Sequence, residues 1–498
     1  MFRKVLIANR GEIAVRIIRA CRELGIKSAA IYSDADKTAL HTKFADESYN
    51  IGAPPSSESY LNQKKIIDLA KKIKADAIHP GYGFFAENAK FISAVEKAGI
   101  IFIGPSSESV ALMGSKTAAR QRMQKHNVPI VPGTTKPIIS AVEGKNIGKE
   151  IGYPILLKAA AGGGGKGMRK INAPDDFESA FDATKRESLK AFASDEIYIE
   201  KFIEKPKHIE VQIFGDKHGN YVHLNERECS IQRRHQKIIE EAPSSFVNKE
   251  TRKKITQAAI DAAKACNYYN AGTVEFLMDA QRNFFFLEMN TRLQVEHPVT
   301  ELTTGFDLVK EQLSVASGKK LSFKQSEVKI NGHSIECRIY AEDAENNFMP
   351  STGKIIYYVA PSGPGIRLDS GFEIGSEISV YYDPLISKLV CWGEDRTIAI
   401  ERMKRALSEY HIAGLITNIS FLKLIIQQKD FNNGKFDINY LNEDFMNKIS
   451  SLQNELGKEK LMEVAAIFSA IHKSKFSMNH VSSNHVDNIN RWVDQLYE

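Results

Sequence analysis

Residues 273–278 and 284–289 are two apolar runs, each interrupted by one glutamate, and Asp279-Ala-Gln-Arg-Asn283 between them has turn composition. A hairpin turning between Gln281 and Arg282 sets the two glutamates, Glu275 and Glu288, directly opposite each other. Like charges in such a cross-strand pair are destabilising. The arrangement is reasonable if a hard cation sits between them, because Mg²⁺ is held by one or two carboxylates together with substrate phosphates. Asn290, Arg292, Gln294 and Glu296 follow at alternate positions. If that segment is extended, an amide, a cation, a second amide and a carboxylate share one face. The competing reading is a surface hairpin with ordinary charges, and five functional groups in register argue against it.

A second constraint lies at 155–171. Residues 155–159 read as a strand, 160–167 as the loop Ala-Ala-Gly-Gly-Gly-Gly-Lys-Gly, and 168–171 as the return strand. Packing does not explain four consecutive glycines, since each costs chain entropy. Their use is close backbone approach, with N–H groups free to cradle phosphate. The loop is not a Walker A motif, because no Ser or Thr follows Lys166 in Lys-Gly-Met168 and both flanks read as strands. A hairpin flap closing over a nucleotide fits better than a merely flexible surface hairpin. Downstream, residues 226–237 (Glu-Arg-Glu-Cys-Ser-Ile-Gln-Arg-Arg-His-Gln-Lys) are dense in side chains that hold anions.

The first 113 residues alternate short apolar strands (4–8, 28–32, 75–79, 100–103) with helical stripes such as Ile13, Ile17, Ala20, Cys21 and Leu24. That is a βαβ series and predicts a parallel sheet. Its first turn, Asn9-Arg-Gly-Glu-Ile13, lacks the dinucleotide glycine pattern. The turn at 79–84, His-Pro-Gly-Tyr-Gly-Phe, follows a strand end, where α/β sheets place ligand loops, though it could equally be structural. Residues 116–127 and 251–266 read as helices. Strands are expected at 196–202, 208–214, 221–225, 333–340, 354–358, 377–381 and 387–392, a helix at 395–409, and one helical segment at 458–472.

At 498 residues the chain is long enough for two to four domains. Its net charge of +6, from 67 Lys and Arg against 61 Asp and Glu, suits small anionic substrates and makes no case for nucleic acid. Five scattered cysteines with no C-x-x-C pair favour reduced thiols in the cytoplasm. Arg10, Glu12 and Arg16 interrupt any early apolar signal segment, and no run of 18 apolar residues predicts a membrane span.

With these residues in view the chain resembles the biotin carboxylases, a family of ATP-grasp enzymes, over at least residues 1–446. The motifs are K-V-L-I-A-N-R-G-E-I-A-V-R (4–16), H-P-G-Y-G-F-F-A-E-N (79–88), I-G-P-S (103–106), G-G-G-G-K-G-M (162–168), E-C-S-I-Q-R-R-H-Q-K (228–237), F-L-E-M-N-T-R-L-Q-V-E-H-P-V-T-E (286–301), E-C-R-I-Y-A-E-D (336–343) and Y-Y-D-P-L-I-S-K-L (381–389). The fold implied is α/β and α+β. It has an N-terminal parallel α/β domain (1–113), an ATP-grasp domain (114–330) with a glycine-rich flap at about 131–203, a C-terminal α+β domain (331–446), and an extension (447–498) that reads as an appendage or partner-docking arm.

The resemblance implies that ATP phosphorylates bicarbonate to carboxyphosphate, whose CO₂ is captured by the ureido nitrogen of biotin. Phosphoryl transfer of this kind needs positioning and charge neutralisation more than covalent help. Two Mg²⁺ or Mn²⁺ ions would be held by Glu275, Glu288 and Asn290. For ATP it implies Lys116, Lys158, Gly163, Gly164, Gly165, Lys166 and Gly167 near the phosphates, and Glu200, Lys201, Ile203 and Leu277 near the base. His208, Gln232 and His235 would lie along the ribose and phosphates. Bicarbonate would be held by Lys237, Arg292, Gln294 and the backbone of Val295. Glu296 would be the base, Arg338 would stabilise the biotin oxyanion, and Tyr82 and Asp383 would lie beside biotin. A carboxylate base at neutral pH needs a raised pKa, which sequence does not reveal.

No Met-Lys-Met biotinylation sequence occurs, and neither a carrier nor a transferase domain follows residue 446. The expectation is therefore a subunit, homodimeric by family, acting on a separate biotin carboxyl carrier protein beside a carboxyltransferase subunit. The final acceptor is an acetyl- or other acyl-CoA, or alternatively pyruvate. A ligase for another carboxylate is disfavoured by Arg292, Gln294, Glu296 and Arg338. A non-catalytic scaffold would be marked by loss of Glu288, Lys237 or Glu296, and all three are present.

Overall fold

The computed structural model describes residues 1–160 and 167–448. The loop glycines Gly163, Gly164 and Gly165, with Lys166, and the helical segment expected at 458–472 lie outside them. The chain divides into two units, Met1–Leu441 and Asn442–Glu498, and the β-sheets belong to the first.

The predicted parallel sheet is present, with five strands in the order Glu47–Gly52, Lys27–Ser33, Lys4–Ile7, Ala77–His79, Ile101–Phe102. Glu47–Gly52 is an edge strand with a charged, mixed sequence, so it carries no apolar run to betray it. The helix Gly11–Glu23 was expected to bury one stripe, but it is buried on nearly all sides, Glu12 and Arg16 included. One face packs on the parallel sheet, and residues such as Ile17 and Ile18 share a core with Phe214, Leu224, Leu293 and Leu313. The helix is therefore an interior element, and its charged residues need buried partners.

A single antiparallel sheet of eight strands runs through the rest, in the order Phe284–Asn290, Asn270–Met278, Lys207–Gly215, Tyr221–Arg233, Gln236–Ala242, His333–Tyr340, Leu385–Gly393, Ile366–Ser370. The expected change of domain at 330 is not a break in this sheet: Gln236–Ala242 pairs directly with His333–Tyr340. The segment 226–237, dense in anion-holding side chains, therefore belongs to a long hairpin. Its two-residue tip is Arg234 (φ 48°) and His235 (φ 66°). Such turns favour Asn-Gly, so two bulky residues in the left-handed region store strain of the kind found at functional sites. The helix Lys249–Ala265 covers one sheet face through Ile255, Ala259 and Ala263.

Two expected strands are interrupted. In place of 354–358 the chain pairs Gly353–Lys354 with Glu377–Ile378 and then Tyr357–Val359 with His411–Ala413, turning inward at the buried Ile355. The strand expected at 377–381 ends at Ile378 for the same reason: its partner has left. Chain 291–296, whose alternate side chains would share one face only if extended, leaves the sheet after Asn290 and is irregular up to the helix His297–Thr304.

The flap region carries its own sheet, Met168–Ile171, Ile155–Ala159, Ile197–Lys201, over a separate core of Ile155, Leu157, Phe177 and Ile199. Gly133 is bridged to Glu200 at its edge, and a Cβ there would overlap the Ile199 carbonyl. Gly133→Ala should lower the thermal midpoint, at a cost of about 1–3 kcal/mol. A melt superposable on wild type would show that this edge gives way freely.

Candidate active site

Glu275 and Glu288 are direct cross-strand partners. The route differs from the sequence expectation. The turn centres on Gln281, since Asp279 and Asn283 close it and Met278 pairs with Phe284. That register alone would set Glu275 against Leu287. A bulge at Leu287 restores the carboxylate pair. Bulges re-aim side chains beside active sites in this way.

The two carboxylates are not equivalent. Burial raises the pKa of Glu275, but Lys237 and His208 outweigh it and hold the group well below the usual carboxylate range. Lys237 Nζ donates to Glu275 Oε1 at 2.8 Å, Gln294 Nε2 donates to the same oxygen at 2.8 Å, and His208 Nε2 lies 3.1 Å from Oε2. Glu288 has no ion-pair partner among the described residues. Although Glu288 is surface-exposed, desolvation and then Glu275 push its pKa up, with Lys116 opposing them. Asn290 Oδ1 accepts from Arg292 at 3.0 Å, while its buried Nδ2 has no partner. Two carboxylates and an amide oxygen are hard donors that fit Mg²⁺ or Mn²⁺, and such an ion would offset the repulsion between the paired Glu275 and Glu288.

Beside this pair lies a buried ionic network. Lys237 Nζ contacts Glu210 Oε2 at 2.6 Å and Glu296 Oε1 at 2.7 Å, in addition to Glu275. Arg338 donates from Nε to Glu240 Oε1 at 2.6 Å and from Nη2 to Glu296 Oε2 at 2.9 Å. The fully buried Arg227 binds Glu210 at 2.5 Å, Gln212 at 2.8 Å, Thr300 at 3.0 Å, Thr273 at 3.1 Å and Gln294 Oε1 at 2.7 Å. Burial raises the Glu296 pKa, but Lys237, Arg338 and Arg227 together carry it well below the ordinary value. Without substrate, Glu296 is therefore a weak base, opposite to what its expected role asks.

Toward the flap, Lys158 Nζ lies 2.5 Å from Glu200 Oε2, and Arg120 Nη1 donates to Glu200 Oε1 at 2.6 Å. Lys116 opens the helix Lys116–Lys125. Burial lowers its pKa and Lys158 adds to the effect, whereas Glu288 acts against it. Two cations competing in one cleft favour an anion between them. Lys201 is turned to the Gly152 and Tyr153 carbonyls at 2.7 and 3.2 Å, behind its strand. Leu277 lies across from His208, and Gln232 across from Lys237, so each pair shares a sheet face. His235 sits exposed at the hairpin tip, Ile203 follows the flap strand half-buried, and Gly167 (φ 70°) ends the glycine loop against Ala159.

A cavity of about 580 Å³ opens next to Glu296, lined by Tyr82, Arg292, Val295, Arg338 and Asp383. All five were singled out from sequence, though 300 residues separate the first from the last. Tyr82 Oη is buried and unpartnered. Burial raises the Asp383 pKa even though it accepts from the Leu385 N–H. Arg292 is steadied by Glu87, whose Oε2 accepts from Nε at 2.8 Å and whose Oε1 accepts from the Thr291 N–H at 2.9 Å.

Glu87, Arg120, Glu210, Arg227 and Glu240 are functional neighbours that sequence reasoning missed. Glu87 stood inside a motif already noted. Glu210 and Glu240 interrupt buried strands, and a charge within an apolar run is a readable signal for a buried partner.

Three family descriptions match the chain: "Biotin carboxylase, N-terminal domain" at 1–110, "Carbamoyl-phosphate synthase L chain, ATP binding domain" at 115–324, and "Biotin carboxylase C-terminal domain" at 336–443. A pyruvate carboxylase subunit from Methanothermobacter thermautotrophicus is 50% identical over 475 residues, covering 95% of this chain and 96% of its own. A biotin carboxylase of Nostoc sp. is 51% identical over 447 residues, covering 90% and 100%. Among solved structures, the biotin carboxylase domain dimer of Hydrogenobacter thermophilus 2-oxoglutarate carboxylase, in complex with MgADP, ADP and bicarbonate, is 49% identical with a TM-score of 0.85, covering 89% of this chain and 98% of that one.

Glu288→Lys should weaken Mg·ATP binding by at least the roughly 10-fold that loss of a metal ligand's outer-shell partner costs. Titration calorimetry showing unchanged affinity would refute the carboxylate pair as the ion site.

Proposed function

The chain belongs to the biotin carboxylase family, and we propose on that premise how its own residues carry the reaction. It is an ATP-dependent ligase that uses bicarbonate to carboxylate biotin borne on a separate protein. The observation that carries the residue assignment is the position of Glu296. It stands between Lys237 and Arg338, with the Glu275–Glu288 pair on one side and the 580 Å³ cavity on the other.

Mg·ATP supplies the phosphoryl group that turns bicarbonate into a better electrophile. Glu275, Glu288 and Asn290 hold the ion, and Lys116 and Lys158 neutralise the phosphates. Arg292, Gln294, Lys237 and the Val295 N–H hold bicarbonate, whose oxygens suit the planar guanidinium fork. The low pKa of Glu296 has a use here. An anion accepting hydrogen bonds from Lys237 and Arg338 draws those cations away from Glu296. That raises the proton affinity of the carboxylate as the bicarbonate proton arrives. Carboxyphosphate then breaks its C–O bond to CO₂ and phosphate, and Arg338 faces the ureido oxygen of biotin, where negative charge develops as the nitrogen passes its proton to that phosphate and attacks CO₂. Tyr82 and Asp383 border the same cavity.

The partners follow from this reading: a biotin carboxyl carrier protein, a carboxyltransferase subunit, and a second copy of the chain in a homodimer. Among the described residues no helix is long and apolar enough to cross a membrane, and all five cysteines are buried and unbonded, which supports a cytoplasmic enzyme. The final acceptor is an acyl-CoA in the first reading. The second, pyruvate, is favoured by the like-sized pyruvate carboxylase relative of Methanothermobacter thermautotrophicus.

Purified protein with Mg·ATP and biotinylated carrier should release ADP only when bicarbonate is present. ADP release indifferent to bicarbonate would overturn the reading. Glu296→Ala should abolish this turnover while leaving ATP affinity nearly intact, and normal turnover would remove Glu296 from the role of base.

A further inference from the structure

One buried lysine lies beneath the site without belonging to the set that holds ATP, bicarbonate or biotin. Lys388, on the strand Leu385–Gly393, is 0% exposed. Its ammonium donates to the Val295 carbonyl at 2.9 Å, lies 3.2 Å from Glu12 Oε2, and lies 3.9 Å from Asp369 Oδ2. Three segments distant in sequence meet there: the buried helix Gly11–Glu23, the irregular chain before Glu296, and the edge strand Ile366–Ser370. Full burial of an ammonium is costly, and a hydrophobic residue of similar volume usually serves stability as well or better. The position therefore calls for a role beyond holding the fold.

That role is visible in what Lys388 touches. Val295 immediately precedes Glu296, in a stretch outside any strand, and Glu296 precedes its helix without a side-chain cap. Lys388 is also the direct cross-strand partner of Arg338, so the two cations stand side by side on one sheet face. Arg338 holds the Glu296 carboxylate at 2.9 Å, and Lys388 holds the carbonyl one residue earlier at 2.9 Å.

We infer that Lys388 is a positioning residue for the carboxylation of biotin: by holding the Val295 carbonyl it fixes the peptide leading into Glu296, and so places the carboxylate between Lys237 and Arg338. The inference rests on the assignment of Glu296 as the base. Its surroundings tolerate loss of the charge. Burial pushes the Glu12 pKa up to about 7 although Lys388 pulls it down, so Glu12 can take up a proton, and Asp369 keeps its 2.7 Å contact with Arg367.

The test compares Lys388→Met with wild type in bicarbonate-dependent ADP release, alongside ATP affinity and the thermal midpoint. The expected result is a fall in kcat/KM for bicarbonate of roughly 10- to 100-fold, the size of effect that misplacement of a reacting group produces. ATP affinity and thermal midpoint should stay near wild type. An unchanged kcat/KM overturns the inference. So does a parallel fall in activity, ATP affinity and thermal midpoint, because Lys388 would then be a structural strut. The double variant Lys388→Met/Glu12→Gln removes the ion pair as a whole and guards against a folding defect. It should keep the bicarbonate defect, and if it recovers wild-type turnover the defect came from an unpaired Glu12. Wild type serves as the control on the premise: absent bicarbonate-dependent turnover in wild type refutes the proposed function, whereas a variant equal to an active wild type refutes only the role of Lys388.

Discussion

The ammonium of Lys237 touches three buried carboxylates, Glu210, Glu275 and Glu296, each on a different element. Three carboxylates cannot be buried side by side without countercharge, since an unpaired buried charge destabilises the fold. Arg227 and Arg338 complete the balance from either side. The network links the hairpin that carries Glu275 and Glu288, the floor of the large sheet and the corner before the helix His297–Thr304. A change in one partner's protonation or ligation is therefore felt by the others.

The same network leaves two groups under tension. Glu288 faces Glu275 without an ion-pair partner among the described residues, and Glu296 is held so firmly by cations that it is a weak base. Both conditions are eased by ligands the family uses: a divalent ion for the first, an oxyanion that diverts Lys237 and Arg338 for the second. The resting site is thus complementary to the charge of its substrates, which is how preorganised electrostatics acts in phosphoryl and acyl transfer.

The continuous eight-stranded sheet explains how residues from the second half of the chain reach the chemistry. Because Gln236–Ala242 pairs with His333–Tyr340, and that strand with Leu385–Gly393, the side chains of Glu240, Arg338 and Lys388 arrive on one face in fixed register. A one-residue slip in either pairing would turn all of them to the opposite face. The pairing of Gln236–Ala242 with His333–Tyr340 thus joins the Lys237 network to Arg338 and the cavity beside it.

The linear chain by itself determined most of the elements and nearly all the donor groups. Apolar periodicity, turn residues and the glycine run are local signals, and they placed the parallel sheet, the flap hairpin and the Glu275–Glu288 pair. What they could not encode is which distant charges neutralise one another. Glu87 beneath Arg292, Arg120 beside Glu200, and Arg227 under Gln294 are contacts across 67 to 205 positions. Edge strands such as Glu47–Gly52 lacked an apolar signature, and the bulge at Leu287 is a matter of pairing rather than composition. The depressed pKa of Glu296 is likewise a tertiary property. Burial alone would raise it, and only the folded chain brings in the three cations that reverse the sign.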